Sequence, residues 1–505
     1  MRETEQALKQ ALQAGNLPVA APLAKALLKA SPKDAKLRQT LSKIYSAMGK
    51  TAEAIAVLND GFTVTSLNPD DYFNVAYALR GLGAFRDAIA GYHHAIGAGL
   101  SGAEDAYVNI ASLEYEEFGN VSAAVDALKK ALTTNPDSME ACLNLGNILE
   151  ATNQFEAADT VYSEGLKRQA VGYEILARLV KLRDFDAVDD PLLNQIKLAQ
   201  TGSAPPKDKA LMGFAYGDAL NALGQYDDAY EAYHRANQHS GISYNKREVI
   251  EYAELLKNNF PSSLFERDTA PQQKPSPLFI CGMFRSGSTL LEQILGAHPE
   301  ISQLGELPFF DRLAVQHGEL FTQEGNRRPP KVIEHLRQAY FAQPQVSGVT
   351  TPIFTDKRPD NFLYLGLIKQ IFPNALILHT RRNARDTALS IFSTQLGARQ
   401  SYAGSIKDIA HYISHYQDLM AHWENCFGDD IHAVDYETLT AEPERQLRPI
   451  FETLGLPWDS ACLSFYTLDN HVKTASYKQV RQPLHNASVG RWRNYAQYIE
   501  PYFID

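Results

Sequence analysis

The chain has 505 residues, 45% of them hydrophobic and 21% charged, and carries a formal charge of −11 at pH 7. That length exceeds what one hydrophobic core usually supports, so at least two domains are expected, and the composition excludes global disorder. The negative balance excludes general affinity for nucleic acid or a membrane surface, while leaving room for a local arginine cluster that binds a phosphorylated ligand.

The opening stretch, MRETEQALKQALQAGN, reads as a charged helix without an apolar signal core, and no run approaches the roughly 18 apolar residues that a membrane span needs. Cys142, Cys281, Cys426 and Cys462 are too scattered for a disulfide framework or a Cys-x-x-Cys metal site, and read as reduced, mostly buried thiols. A soluble cytoplasmic protein with no membrane span is expected.

A repeat dominates the first half. Gly49, Gly83, Gly119, Asn153 and Gly224 stand 34, 36, 34 and 71 residues apart, the last interval being two periods. Each is followed five residues later by alanine: Ala54, Ala88, Ala124, Ala158 and Ala229. Glycine or asparagine suits the left-handed turn that ends one helix, and alanine lets the next helix pack closely on it. Pro32, Pro69 and Pro136 fall between successive helix pairs. The pattern resembles tetratricopeptide repeats, which implies an all-α solenoid over residues 1–240 with one degenerate unit around 172–206. Such arrays leave a concave groove that commonly receives a peptide or protein. His93, His94 and His234 read as ordinary surface or packing residues.

Residues 241–275 read as a helical connector, NKREVIEYAELLKNNF, followed by the proline-rich APQQKPSP, which marks a boundary near 276. Beyond it, PLFICG, IFTDK, ALILHTR and IHAVDYE are strand-like runs separated by helix-length segments, as in a parallel α/β sheet. The second domain therefore spans residues 276–505, and its ligands are expected at the carboxyl ends of the strands.

The first of those strands runs into GMFRSGSTLLEQIL. Gly282 and Gly287 keep the spacing of a nucleotide-triphosphatase loop, but Ser288 stands where the lysine belongs, with Thr289 after it. Main-chain N–H groups, the two hydroxyls and the Arg285 fork can still hold an anion, and without the lysine a smaller, metal-free one fits better. This P-loop-like segment resembles the 5′-phosphosulfate loop of sulfotransferases, whose donor is 3′-phosphoadenosine 5′-phosphosulfate (PAPS) and whose product is PAP. By that resemblance Arg285, Ser286, Gly287, Ser288 and Thr289 contact the donor. Phe284 stands where the family usually has proline.

Three further stretches carry the resemblance across the whole C-terminal half. ALILHTRRNARDTALSIF is similar to the family's 3′-phosphate segment and puts Arg382 and Ser390 in the binding positions, flanked by Arg381 and Arg385; Asn383-Ala384 departs from the usual turn. VDYETLTAEPE places Tyr436 as the strand-end tyrosine that contacts the nucleotide. TASYKQVRQPLHNASVGRWRNY resembles the segment that closes over it, with Ser476 and Arg491 as contacts. Arginines at a helix start oppose the macrodipole and are better explained by a bound anion.

Transfer also needs a base and a cation near the breaking bond. Taken alone, Glu306 would be a surface carboxylate beside Pro308 and Lys357 a solvated lysine. Glu306, 21 residues after Arg285, matches the catalytic glutamate of tyrosylprotein sulfotransferases, and Lys357 in TDKRPDNFLY matches the family's catalytic lysine. His298 and His379 compete as bases, since cytosolic small-molecule members use histidine, but both read as structural.

The expectation is a helical repeat domain joined to an α/β sulfotransferase domain, moving a sulfuryl group from PAPS to a tyrosine or carbohydrate hydroxyl without a metal. The acceptor protein, peptide or glycan would be held by or near the repeats. A homo-oligomer is compatible with the sequence. The alternatives are a P-loop kinase or NTPase and a non-catalytic repeat scaffold that senses nucleotide.

Overall fold

The computed structural model describes residues 1–63, 67–168, 172–265, 275–322, 328–397, 399–468 and 479–503. The chain forms two compact units, Met1–Leu179 and Val180–Asp505.

The first unit is built of helical hairpins, from Arg2–Gln13 through Phe155–Arg168. Their turns adopt the left-handed conformation at Gly49 (φ 74°), Gly83 (78°), Gly119 (63°) and Asn153 (62°), as the repeat register requires. Ala54, Ala88, Ala124 and Ala158 are fully buried, each in the first turn or so of the second helix, where a larger side chain would push the pair apart. Gly15 (φ 65°) and buried Ala20 extend the same register one period upstream, a copy the sequence reading missed.

In the second unit, the last hairpin, Pro206–Ala222 and Tyr226–His239, keeps the repeat geometry at Gly224 (φ 74°) and buried Ala229. Its outer surface is not left to solvent. Phe214, Tyr233 and Ala236 share one apolar core with Phe279 and Phe392. The Asn237 amide donates to the Tyr233 and Phe392 carbonyls at 3.0 and 2.9 Å. Tyr230 stacks on Tyr498 with ring centroids 3.7 Å apart, and the Tyr495 hydroxyl donates to Asn221 Oδ1 at 2.8 Å. The compact unit therefore starts upstream of the boundary read near residue 240. The helix Lys246–Asn259 follows; residues 270–274 of the proline-rich stretch lie outside the described residues.

Five strands make the sheet: β1 (Ser276–Gly282), β2 (Ile301–Gln303), β3 (Ile353–Lys357), β4 (Ile377–Arg381) and β5 (Ile431–Asp435). They run in the order β2-β3-β1-β4-β5 with every pairing parallel. β1 is buried along its whole length, as a strand covered on both faces must be, and alternates its side chains between two cores. Phe279 and Cys281 join the cluster that includes the terminal hairpin, whereas Leu278 and Ile280 join Leu291, Leu378 and Val434 on the other face. The chain crosses β1 to pass from β3 to β4, so the carboxyl ends of these central strands flank a crevice, the usual place for a ligand.

Candidate active site

Each strand delivers candidate residues at its carboxyl end. β1 runs into the loop Met283–Gly287 and the helix Ser288–Leu295, β2 leads to Glu306, β3 ends on Lys357, β4 is followed by Arg382, and β5 by Tyr436. Gly287, Ser288, Thr289, Arg285, Glu306, Arg382 and Tyr436 line one cavity of about 240 Å³. Phe284, Pro359 and Leu396 line the same cavity, and Pro483, Leu484 and His485 of the closing segment complete it.

The loop needs its glycines for want of room. A Cβ on Gly282 would stand 2.3 Å from Thr380 Oγ1, and one on Gly287 (φ 100°) 2.6 Å from the Tyr436 ring. Arg285 itself adopts φ 68°, a conformation that side chains rarely take and that concentrates at ligand sites. Its Nε donates to Ser390 Oγ at 3.1 Å, which ties the two anion-binding segments together. The loop turns Ser286 away from the cavity: its Oγ pairs with Thr380 Oγ1 at 2.7 Å and its N–H closes a turn onto the Met283 carbonyl at 3.1 Å. The Ser286 hydroxyl therefore shapes the loop.

Three arginines, Arg285, Arg382 and Arg491, act on one another here. Burial, reinforced by Arg382 and Arg491, holds the Arg285 guanidinium down to about 10. Arg382 is likewise lowered, first by burial. It lies 4.7 Å over the Tyr436 ring and donates to the carbonyls of Arg285 (3.0 Å) and Ser488 (2.5 Å), while its buried Nε has no partner among the described residues. A buried donor without a partner beside other cations can serve an anion. Arg491 does not line the cavity and donates from Nη2 to Asn221 Oδ1 at 3.3 Å. Ser476 lies outside the described residues.

Arg381 is engaged elsewhere, on Asp435 at 3.0 Å. The departure at Asn383 has a local explanation: its Oδ1 caps the helix Ala384–Phe392 by accepting from the N–H groups of Arg385 (3.0 Å) and Asp386 (3.2 Å). Asp386, which the sequence reading passed over, anchors the closing segment by accepting from the N–H groups of Gly490 (2.6 Å) and Trp492 (3.0 Å).

At the cavity wall, Glu306 Oε1 accepts from Lys357 Nζ at 2.9 Å; the carboxylate is 39% exposed and the ammonium 1%. Behind them lies Glu292, buried on the loop helix and unmarked by any motif. Neither competing histidine lines the cavity. His298 is buried against the Pro457 carbonyl at 3.1 Å. His379 pairs with Tyr416 and Glu424, and burial holds its imidazole down to about 4.

Residues 277–460 match the model of the sulfotransferase family, and residues 11–64 and 116–179 match a tetratricopeptide-repeat model. The sheet-bearing half is a sulfotransferase domain. An uncharacterized protein of Aquifex aeolicus (strain VF5) is 31% identical over 398 residues, 75% of this chain and 51% of that protein. Protein-tyrosine sulfotransferase A of Caenorhabditis elegans is 26% identical over 247 residues, 47% of this chain and 63% of its own length. Protein-tyrosine sulfotransferase 1 of Mus musculus is 24% identical over 54% of this chain and 75% of its own. The chain thus spans only about half to two thirds of the first two relatives. The solved sulfotransferase domain of the Synechococcus PCC 7002 olefin synthase aligns with 48% of this chain at 20% identity and a TM-score of 0.34.

Proposed function

We propose that this protein transfers the sulfuryl group of PAPS to an acceptor hydroxyl. The observation that carries the reading is the Lys357–Glu306 pair, 2.9 Å apart, at the wall of a cavity that also holds a helix N-terminus and the cationic cluster of Arg285 and Arg382. A helix N-terminus with hydroxyls at Ser288 and Thr289 suits the 5′-phosphosulfate, and the open Nε of Arg382 suits a 3′-phosphate. Glu306, the exposed member of the pair, takes the proton of the attacking hydroxyl. Lys357 and Arg285 face the phosphate oxygen that leaves, and stabilise the charge that grows on it as the sulfur–oxygen bond breaks.

A tyrosine of a protein or peptide is the preferred acceptor, because the tyrosine-specific relatives align through this half; a carbohydrate hydroxyl meets the same chemical demand. The repeats present the acceptor or a partner protein, since helical arrays expose extended surfaces and fusion raises local concentration. The test is transfer of radiolabelled sulfate from PAPS to a lysate, with the labelled product identified by peptide mapping and by glycosidase treatment. Label on tyrosine supports the acceptor assignment, label on glycan redirects it, and no label above the Glu306→Gln background sinks the reading.

A further inference from the structure

A buried carboxylate one turn inside a helix whose N-terminus holds an anion repels that anion, so its presence calls for a reason. Glu292 occupies that place and is 4% exposed. Its Oε1 accepts from the Gly305 N–H at 3.0 Å, in the turn that leads to Glu306, and from Thr355 Oγ1 at 2.7 Å, two residues before Lys357 on β3. Its Oε2 lies 4.0 Å from Lys357 Nζ. One carboxylate therefore fastens the loop helix, the turn that carries the proposed base, and the strand that carries the lysine proposed to stabilise the leaving group.

The charges make the same point. Lys357 Nζ is nearly inaccessible and sits between two carboxylates, bonded to Glu306 and facing Glu292. In this arrangement the ammonium occupies Glu306 Oε1, one of the two oxygens of a carboxylate that is 39% exposed. When Lys357 turns toward the leaving phosphate oxygen, its hold on Glu306 weakens and the buried ammonium still needs carboxylate support behind it. Glu292 is the second carboxylate within reach.

We propose that Glu292 is a positioning residue for sulfuryl transfer: it fixes Glu306 and Lys357 relative to the donor loop and neutralises Lys357 when the lysine turns from Glu306 to the donor. The inference rests on the function proposed above. Burial raises the Glu292 carboxyl from the ordinary carboxylate range, Lys357, the Thr355 hydroxyl and the Gly305 N–H act against that rise, and Glu306 adds to it.

The test is Glu292→Gln in the full chain, which keeps both hydrogen bonds to Oε1 and removes the charge. PAP affinity by calorimetry, turnover of PAPS with 4-nitrophenol, and the melting temperature are measured together. The expected result is a near-parental melting temperature and PAP bound as tightly as by the parent or more tightly, since a nearby negative charge is gone. Turnover should nevertheless fall by roughly ten- to a hundredfold, by analogy with the partners that orient metal ligands. Parental turnover overturns the inference, and so does a loss of PAP affinity in step with turnover, which marks a merely structural carboxylate. Should the glutamine variant fail to fold, Glu292→Asp keeps the charge but shortens the reach to Gly305; it should bind PAP and turn over slowly, and parental turnover there overturns the inference equally. A parent protein that binds no PAP sinks the sulfotransferase reading itself, and this inference with it.

Discussion

Replacing Arg382 with alanine should erase the protein's preference for PAP over adenosine 5′-phosphate, which differ only in the 3′-phosphate. The guanidinium is held in place on three sides, by the Arg285 and Ser488 carbonyls and by the Tyr436 ring, which leaves its buried Nε as the donor without a partner among the described residues. One charge-assisted hydrogen bond is worth about 1.5–3 kcal/mol, so the preference should be roughly tenfold to over a hundredfold in the parent and close to unity in the variant. Comparing two nucleotides matters because Arg382→Ala also loosens the donor loop, and that loss is common to both ligands. Calorimetric titration of the two proteins with the two nucleotides gives the four affinities needed. Equal affinities in the parent, or an unchanged ratio in the variant, would refute the assignment of Arg382 to the 3′-phosphate.

Glu306→Gln should leave PAP affinity intact while turnover falls by about two to four orders of magnitude, the size of a general-base contribution; near-parental turnover places the base elsewhere. A fragment beginning at Val180 should melt cooperatively, whereas one beginning at Ile242 loses Phe214, Tyr233 and the Asn237–Phe392 contact and should melt far lower or aggregate; circular dichroism decides, and equal melting of the two contradicts the shared core. Stability should also fall as the pH is lowered from about 6.5 towards 4. His379 resists protonation in the folded state because it is buried, while the unfolded chain takes up the proton near 6.5, so stability is complete above that value and declines below it by at most about 1.4 kcal/mol per pH unit. His379→Asn should flatten that dependence in thermal melts, and an unchanged slope would assign it to other groups.

The repeat was legible because its determinants are local: a left-handed residue and an alanine five positions on decide each hairpin, and the fixed period multiplies a weak signal. Four strands were legible as apolar runs, and the loop, Arg382, Glu306 and Lys357 because spacing along the chain is set by strand length and crossover. β2 escaped, being three residues long in ISQ and paired at one edge only. The merging of the last hairpin with the sheet depends on contacts such as Asn237 to Phe392, 155 residues apart, which no local pattern announces. Glu292 reads in sequence as an ordinary helix glutamate; only the fold of β3 and the Gly305 turn against it shows that it is buried and paired. The hydrogen bond of Ser286 to Thr380, across 94 residues, is likewise invisible in the motif.

The central claim is that this cavity carries out sulfuryl transfer, and a head-to-head turnover assay of the full chain tests it most directly. PAPS with 4-nitrophenol and a tyrosine peptide is supplied in one arm, and ATP with Mg²⁺ in the other, with products followed by chromatography. The account predicts PAP and sulfated acceptor appearing in equal amounts, dependent on Glu306 and Lys357, and no ATP hydrolysis above background. Hydrolysis of ATP with PAPS left untouched would contradict it.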